Sequence, residues 1–151
     1  MAKYGYGVDL GGTAVKMGLF TVEGQLIEKW DIRTDTANGG AHIISDIAAS
    51  INANRLKRNL GFDDILGIGM GVPGTVSEQG LVTAVNLGWH NYPAISSLEA
   101  LTGLIVRCAN DANCAALGEM WMGGGTGHKS IVMVTLGTGV GGGIIIDGKI
   151  H

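Results

Sequence analysis

Charge is scarce in this chain: 15% of its residues are charged, against a typical share of about 25%, and the net charge is -3 with no block of like sign. Nothing here builds the electrostatic footprint that nucleic acid or an anionic membrane requires, so neither partner is expected. Cysteine is nearly missing. Cys108 and Cys114 form neither a CxxC pair nor a disulfide framework, and both read as small buried residues. His42, His90, His128 and His151 show no metal-ligand spacing, so surface positions and no zinc are expected. Long apolar runs are missing too, because the charge-free stretch Ile131 to Ile146 is interrupted by glycines and falls short of the ~20 residues that span a bilayer. The opening Met-Ala-Lys-Tyr-Gly lacks the apolar core and small-residue cleavage site of an export signal, which makes the cytoplasm the expected location.

Glycine, by contrast, is abundant, with 27 residues where average usage is about 7%. There is no three-residue period, so the excess is not collagen-like. The glycines cluster at 11–12, 67–74, 123–127 and 137–143, as tight turns or close backbone approaches to ligands would require. At 151 residues and 46% hydrophobic content, the chain is long enough for one packed domain.

The pattern along the chain is α/β. Tyr4 to Leu10 and Ala14 to Phe20 are β-runs joined by Gly11-Gly12-Thr13, and Leu26 to Ile32 completes a three-stranded antiparallel meander. Ile43, Ile44, Ile47, Ala48 and Ile51 recur at helical spacing. Ile65 to Val72 reads as a strand that stops at Pro73-Gly74. A short helix capped by Ser96 or Ser97 runs through Leu101 to a stop at Gly103, then a buried strand from Leu104 to Ala109 and a helix from Ala112 to Trp121. Residues 123–129 read as a linker, and Ile131 to Leu136 with Gly143 to Ile150 as one more hairpin. Its Leu-Gly-Thr-Gly (136–139) echoes Leu-Gly-Gly-Thr (10–13), a weak internal repeat that suggests two related halves.

Gly69-Met-Gly71-Val-Pro-Gly74 and Gly137-Thr-Gly139-Val-Gly-Gly142 both fit G-x-G-x-x-G. Context argues against a dinucleotide fold, since that fingerprint needs a helix next and these loops enter a Pro-Gly turn and an isoleucine run. No GxxxxGK[ST] is present either. Strand-turn-strand loops remain, whose exposed amides, with the hydroxyls of Thr13 and Thr138, suit phosphate oxygens.

"DLGGTAVK" (9–16), "GMGVPGTV" (69–76), "NLGWHNYP" (86–93), "NDANCAALGE" (110–119) and "LGTGVGGGIIIDGKI" (136–150) resemble, in that order, the motifs of the ROK family of sugar kinases, most of all its glucokinase branch. The resemblance implies an actin-like ATPase (ribonuclease H-like) fold: a domain over 1–122, the linker 123–129, and in 130–151 the first hairpin of a second domain. It also implies that relatives continue past this point, into a Glu-Ile-Gly-His segment, a zinc motif and an adenine-binding region, so an incomplete chain is expected. A hairpin without its sheet would expose strand edges, and self-association or disorder is expected there.

The implied activity is transfer of phosphate from ATP to the 6-hydroxyl of glucose. A kinase for fructose, N-acetylmannosamine or another hexose is an alternative, as is a sugar-responsive regulator, which would carry a DNA-binding segment ahead of this region. Phosphoryl transfer needs an aligned hydroxyl, a base and charge neutralisation. By resemblance Asp111 is the base, although at this position it could instead cap the following helix. The resemblance likewise implies that Asn110 binds sugar hydroxyls, with Gly74, Thr75 and Asn86 beside the sugar, and that Trp89 borders the site or merely packs. Asp9 is expected to hold a hydrated Mg²⁺, and Gly11, Gly12, Thr13, Lys16, Gly137, Thr138 and Gly139 to surround the ATP phosphates, unless Lys16 is simply the polar side of an edge strand.

Overall fold

The computed structural model describes residues 1–136 and 140–151. Strands β1 (Tyr4–Leu10), β2 (Ala14–Thr21) and β3 (Leu26–Arg33) form the expected antiparallel meander. A one-turn segment, α1 (Ala37–Gly40), leads into α2 (Ile43–Lys57), which carries the chain across to β4 (Ile65–Val72), laid parallel to β1. Three short strands follow, β5 (Thr75–Val76), β6 (Val82–Ala84) and β7 (Trp89–Tyr92), then α3 (Ala94–Thr102). The strand β8 (Val106–Asn110) lies parallel to β4 and passes directly into α4 (Asp111–Met122). The chain closes with β9 (Ile131–Leu136), β10 (Val140–Ile146) and β11 (Lys149–Ile150).

The main sheet has the order β3-β2-β1-β4-β8. Alternation along a strand sends Tyr6, Val8 and Leu10 to one face and Gly7 and Asp9 to the other. The first face is the core, where Ile43, Ile44, Ile47 and Ile51 of α2 and Leu98 of α3 meet Val8, Leu10, Met70 and Val106. At the far end of α2 a polar chain crosses to β3. Tyr6 donates to Asn54 (3.1 Å), Asn54 donates to Glu28 (3.1 Å), and Arg58 Nε donates to the same Glu28 oxygen (2.8 Å).

Several elements differ from the sequence expectation. The β5-β6-β7 sheet was not legible, because strands of two to four residues carry no measurable period. Trp89, 1% exposed, stacks on Tyr92 at 4.5 Å and donates to the Gly40 carbonyl, so it is a packing aromatic. That packing requires glycine at 40, where φ is 68° and a Cβ would lie 2.6 Å from the Leu87 carbonyl. Helix α3 begins at Ala94 directly after Pro93, leaving Ser96 and Ser97 inside the helix instead of capping it, while Gly103 ends it with φ 70° as expected. The strand β8 starts at Val106, not Leu104. In the last hairpin the return strand begins at Val140 rather than Gly143, and a further turn at Asp147-Gly148 produces β11.

This hairpin does not stand alone. Gly143 lies so close to Ala112 and Ala116 of α4 that a Cβ there would clash with both, and Ile145 is buried. Its other face, with Val132, Val134, Leu136 and Val140, is open. Among the described residues no helix is long and apolar enough to cross a membrane.

Two outcomes follow. Trp89→Ala, which empties a fully enclosed site, lowers stability by about 3–5 kcal/mol in urea unfolding. Hydrogen bonds from Arg58 and then Asn54 hold the Glu28 carboxyl below its usual range. A lowered folded-state pKa stabilises above the unfolded value of about 4.3 and is lost as pH falls through the folded one. Glu28→Gln therefore flattens the acid limb of a plot of melting temperature against pH below roughly pH 5, leaving the neutral slope unchanged.

Candidate active site

Asp9 is the penultimate residue of β1, aligned with Lys16 on β2 and with Gly71 on β4, which in turn aligns with Ala109 on β8. The next residue but one is Asp111, the first of α4. Parallel strands thus bring their carboxyl ends together here, the edge where open α/β sheets hold ligands. Asp9, Lys16, Gly71 and Asp111 line one cavity of about 940 Å³. Asp9, Lys16 and Asp111 are all exposed to it.

The first glycine loop is held from three sides. Gly11 N–H donates to the Ala14 carbonyl (3.0 Å), Thr34 N–H donates to the Thr13 carbonyl (2.9 Å), and the Thr34 hydroxyl donates to the Gly11 carbonyl (2.7 Å). The Gly11 amide is therefore engaged within the turn, whereas Gly12 faces open space and Thr13 is exposed. Thr34, 6% exposed, escaped the sequence reading. The only trace it leaves is a hydroxyl residue placed just after β3, which any turn would tolerate.

Asn110 has the richest set of partners. Its Oδ1 accepts from the amides of Ala112 (3.0 Å) and Asn113 (3.3 Å), capping α4, while its Nδ2 donates to the Gly74 carbonyl (3.0 Å). Both acceptor positions are filled, and one N–H remains for a ligand. Capping thus falls to Asn110, which answers the alternative role weighed for Asp111; among the described residues the Asp111 carboxylate accepts only from the neighbouring Ala112 amide, at 2.8 Å. Gly74 is itself required by packing, since a Cβ would run into the Thr83 carbonyl and Ala84.

Thr75 lies exposed on β5 opposite Thr83, and Asn86 sits exposed in the turn 85–87. Among the described residues no hydrogen bond joins Asn86 to Asn110 or Gly74. Gly137, Thr138 and Gly139 fall outside the described residues. The four histidines are exposed, and among the described residues no group of three or more His, Cys, Asp or Glu could hold a metal.

The cysteines need correction: both are half-buried in the cavity wall, not fully enclosed, because the face of α4 that carries Cys114 is only partly covered. Burial, and then the other thiol, pushes Cys108 up to about 12. Burial raises Cys114 as well, followed by the carboxylates of Asp111 and, more weakly, Asp9. Asp9, Asp111 and both thiols line the same cavity.

The family whose profile matches this chain is described as the ROK family, over residues 5–151. The glucokinase of Halalkalibacterium halodurans is 45% identical over 95% of this chain, and that of Streptomyces coelicolor 38% identical over 96%. This chain spans 44% of the length of each. Among solved structures, the ROK family glucokinase from Streptomyces griseus, in complex with glucose and AMPPNP, superposes with a TM-score of 0.84 at 34% identity, covering 98% of this chain and 46% of that one.

The two halves of the Asn110 arrangement separate by substitution. Asn110→Ala removes both, costing about 1 kcal/mol for the cap and speeding amide exchange at 74–76 and at the start of α4. Asn110→Asp keeps the acceptor and loses the donor, so exchange quickens at 74–76 alone.

Proposed function

We propose that the whole protein transfers the terminal phosphoryl group of ATP to the 6-hydroxyl of glucose, from a plain premise: this chain belongs to the ROK family. Its fold is the actin-like ATPase fold of the ROK sugar kinases it superposes on. One observation carries the reading. Asp111 stands at the head of α4 with its capping duty taken by Asn110, and shares a cavity with Asp9 and Lys16.

In this reading glucose lies against Gly74, Thr75 and Asn86, with the free N–H of Asn110 given to a sugar hydroxyl. Asp111 accepts the proton of the 6-hydroxyl as that oxygen attacks phosphorus, and the leaving group is ADP. Lys16 and the amides of the Gly11-Gly12-Thr13 turn balance phosphate charge on one side. The loop of Gly137, Thr138 and Gly139 does so on the other.

Asp9 is an exposed carboxylate, and among the described residues no group of three or more His, Cys, Asp or Glu gathers around it. That suits Mg²⁺, which keeps several waters and takes one or two carboxylates together with substrate phosphates. When bound, the ion supplies neutralisation of phosphate charge. Residues 1–122 form the first lobe in this reading, 123–129 the connection, and 130–151 the opening hairpin of the second lobe. The cytoplasm, where ATP is abundant, is the fitting location. The open apolar face of β9 and β10 favours assembly of copies.

In the whole protein, Asp111→Asn reduces ADP release with glucose by about 10²- to 10⁴-fold while glucose affinity, measured by calorimetry, stays the same. Undiminished turnover overturns the assignment, and a hexose panel in the same assay reads which sugar is used.

A further inference from the structure

Three consecutive residues ahead of α2 hold a backbone conformation that most residues avoid. Asn38 (φ 53°, ψ 40°), Gly39 (φ 67°, ψ 32°) and Gly40 (φ 68°) are all left-handed. Left-handed residues normally occur singly, because a Cβ crowds the following carbonyl, and glycine and asparagine are the residues that tolerate it. Strain of this kind persists only where the surroundings hold it, and it gathers at functional sites.

What holds it here is the turn that carries Asn86. That turn, residues 85–88, is closed by the Gly88 N–H donating to the Val85 carbonyl (3.0 Å). Gly88 lies so close to Gly39 that a Cβ on Gly88 would sit 2.8 Å from the Gly39 Cα. Gly40 presses on the residue next to Asn86: a Cβ there would lie 2.6 Å from the Leu87 carbonyl and 2.9 Å from the Trp89 Nε1, which donates to the Gly40 carbonyl (3.4 Å). Two turns far apart in sequence thus meet backbone to backbone, with no side chain between them to yield. Leu87 and Trp89 are buried, so Asn86 stands exposed on a turn whose rear is fixed.

The strained segment is fixed at its other end as well. Thr34, six residues before Gly40, donates its N–H to the Thr13 carbonyl and its hydroxyl to the Gly11 carbonyl. Between the two ends Asp35 Oδ1 accepts from the Ala37 amide (3.0 Å), and the Gly40 N–H donates to the Thr36 carbonyl (3.3 Å), which keeps the span short. We propose that residues 34–40 are a positioning element: Thr34 sets the Gly11-Gly12-Thr13 turn, Gly40 sets the height of Asn86, and the segment fixes the spacing between phosphate and sugar contacts. None of its residues is given a contact with substrate. The proposal rests on the reading that assigns Asn86 to the sugar and the Gly11-Gly12-Thr13 turn to the phosphates.

Steady-state kinetics and glucose calorimetry on the whole protein test it. Gly39→Ala and Gly40→Ala place alanine at nearly the same left-handed φ, yet only the second collides, since a Cβ on Gly39 meets the Gly88 carbonyl at an ordinary 3.7 Å. Gly40→Ala raises KM and Kd for glucose about 3- to 10-fold while kcat and the KM of MgATP stay within about twofold, and Gly39→Ala leaves all four within about twofold. Thr34→Val gives the opposite pattern, raising the KM of MgATP about 3- to 10-fold but not that of glucose. Thr34→Ser, which keeps the hydroxyl, restores it. Should Gly40→Ala fail to fold, Trp89→Phe removes the bond to Gly40 while keeping a ring, and raises the KM of glucose about threefold. The proposal is overturned by equal changes in both KM values, by equal behaviour of the two alanine variants, or by an unmoved glucose KM in Gly40→Ala and Trp89→Phe. Wild-type protein that neither binds nor phosphorylates any hexose instead defeats the reading beneath the proposal, and the proposal falls with it.

Discussion

The carboxamide of Asn110 satisfies three backbone groups at once: two amides at the start of α4 and the carbonyl of Gly74. A helix begins with four amides that have no partner within it, and a strand that stops at Pro73-Gly74 leaves a carbonyl without a ladder. One short side chain with a donor on one side and an acceptor on the other meets both needs, which an ionised aspartate, an acceptor only, could not. The placement of Asp111 follows. Because its neighbour caps the helix, the carboxylate can face the cavity that Asp9 and Gly71 also line.

Much of this was legible in the sequence, for reasons that differ from element to element. The meander and β4 are written in period-two alternation bounded by glycine, so their limits were read within a residue or two, and α2 is written in isoleucines at helical spacing, which mark its start and its buried face. The β5-β6-β7 sheet was not, since its order comes from contacts between residues far apart, such as Trp89 with Gly40. The start of α3 was misjudged because Ser96 and Ser97 are good caps in isolation, while Pro93 fixes the chain direction three residues earlier. Asp9, Lys16 and Asp111, singled out in the sequence, line one cavity. Thr34 was missed, as its value lies wholly in the buried hydroxyl it turns towards Gly11.

Helix α4 shows how one amphipathic element serves two neighbours of different character. Its small residues Ala112 and Ala116 let β10 approach until only glycine fits between them. Its other side presents Cys114, Leu117 and Trp121 to the open sheet face, with the Trp121 ring resting against the Gly24 turn. Tight backbone packing on one side and loose side-chain contact on the other give the helix a rigid seat and an exposed shoulder.

The placement of β1 at the centre of the sheet has a consequence in time. Its antiparallel neighbour lies just across a three-residue turn, whereas its parallel neighbour aligns Asp9 with Gly71, 62 positions further on. Closing a loop of that size lowers chain entropy before any contact rewards it, so the meander forms early and the parallel pairing late. Lys16 and Asp9 meet in the first phase, Gly71 and Asp111 only in the second. During synthesis the acidic pair at the mouth of the cavity therefore assembles only after β8 and α4 have left the ribosome.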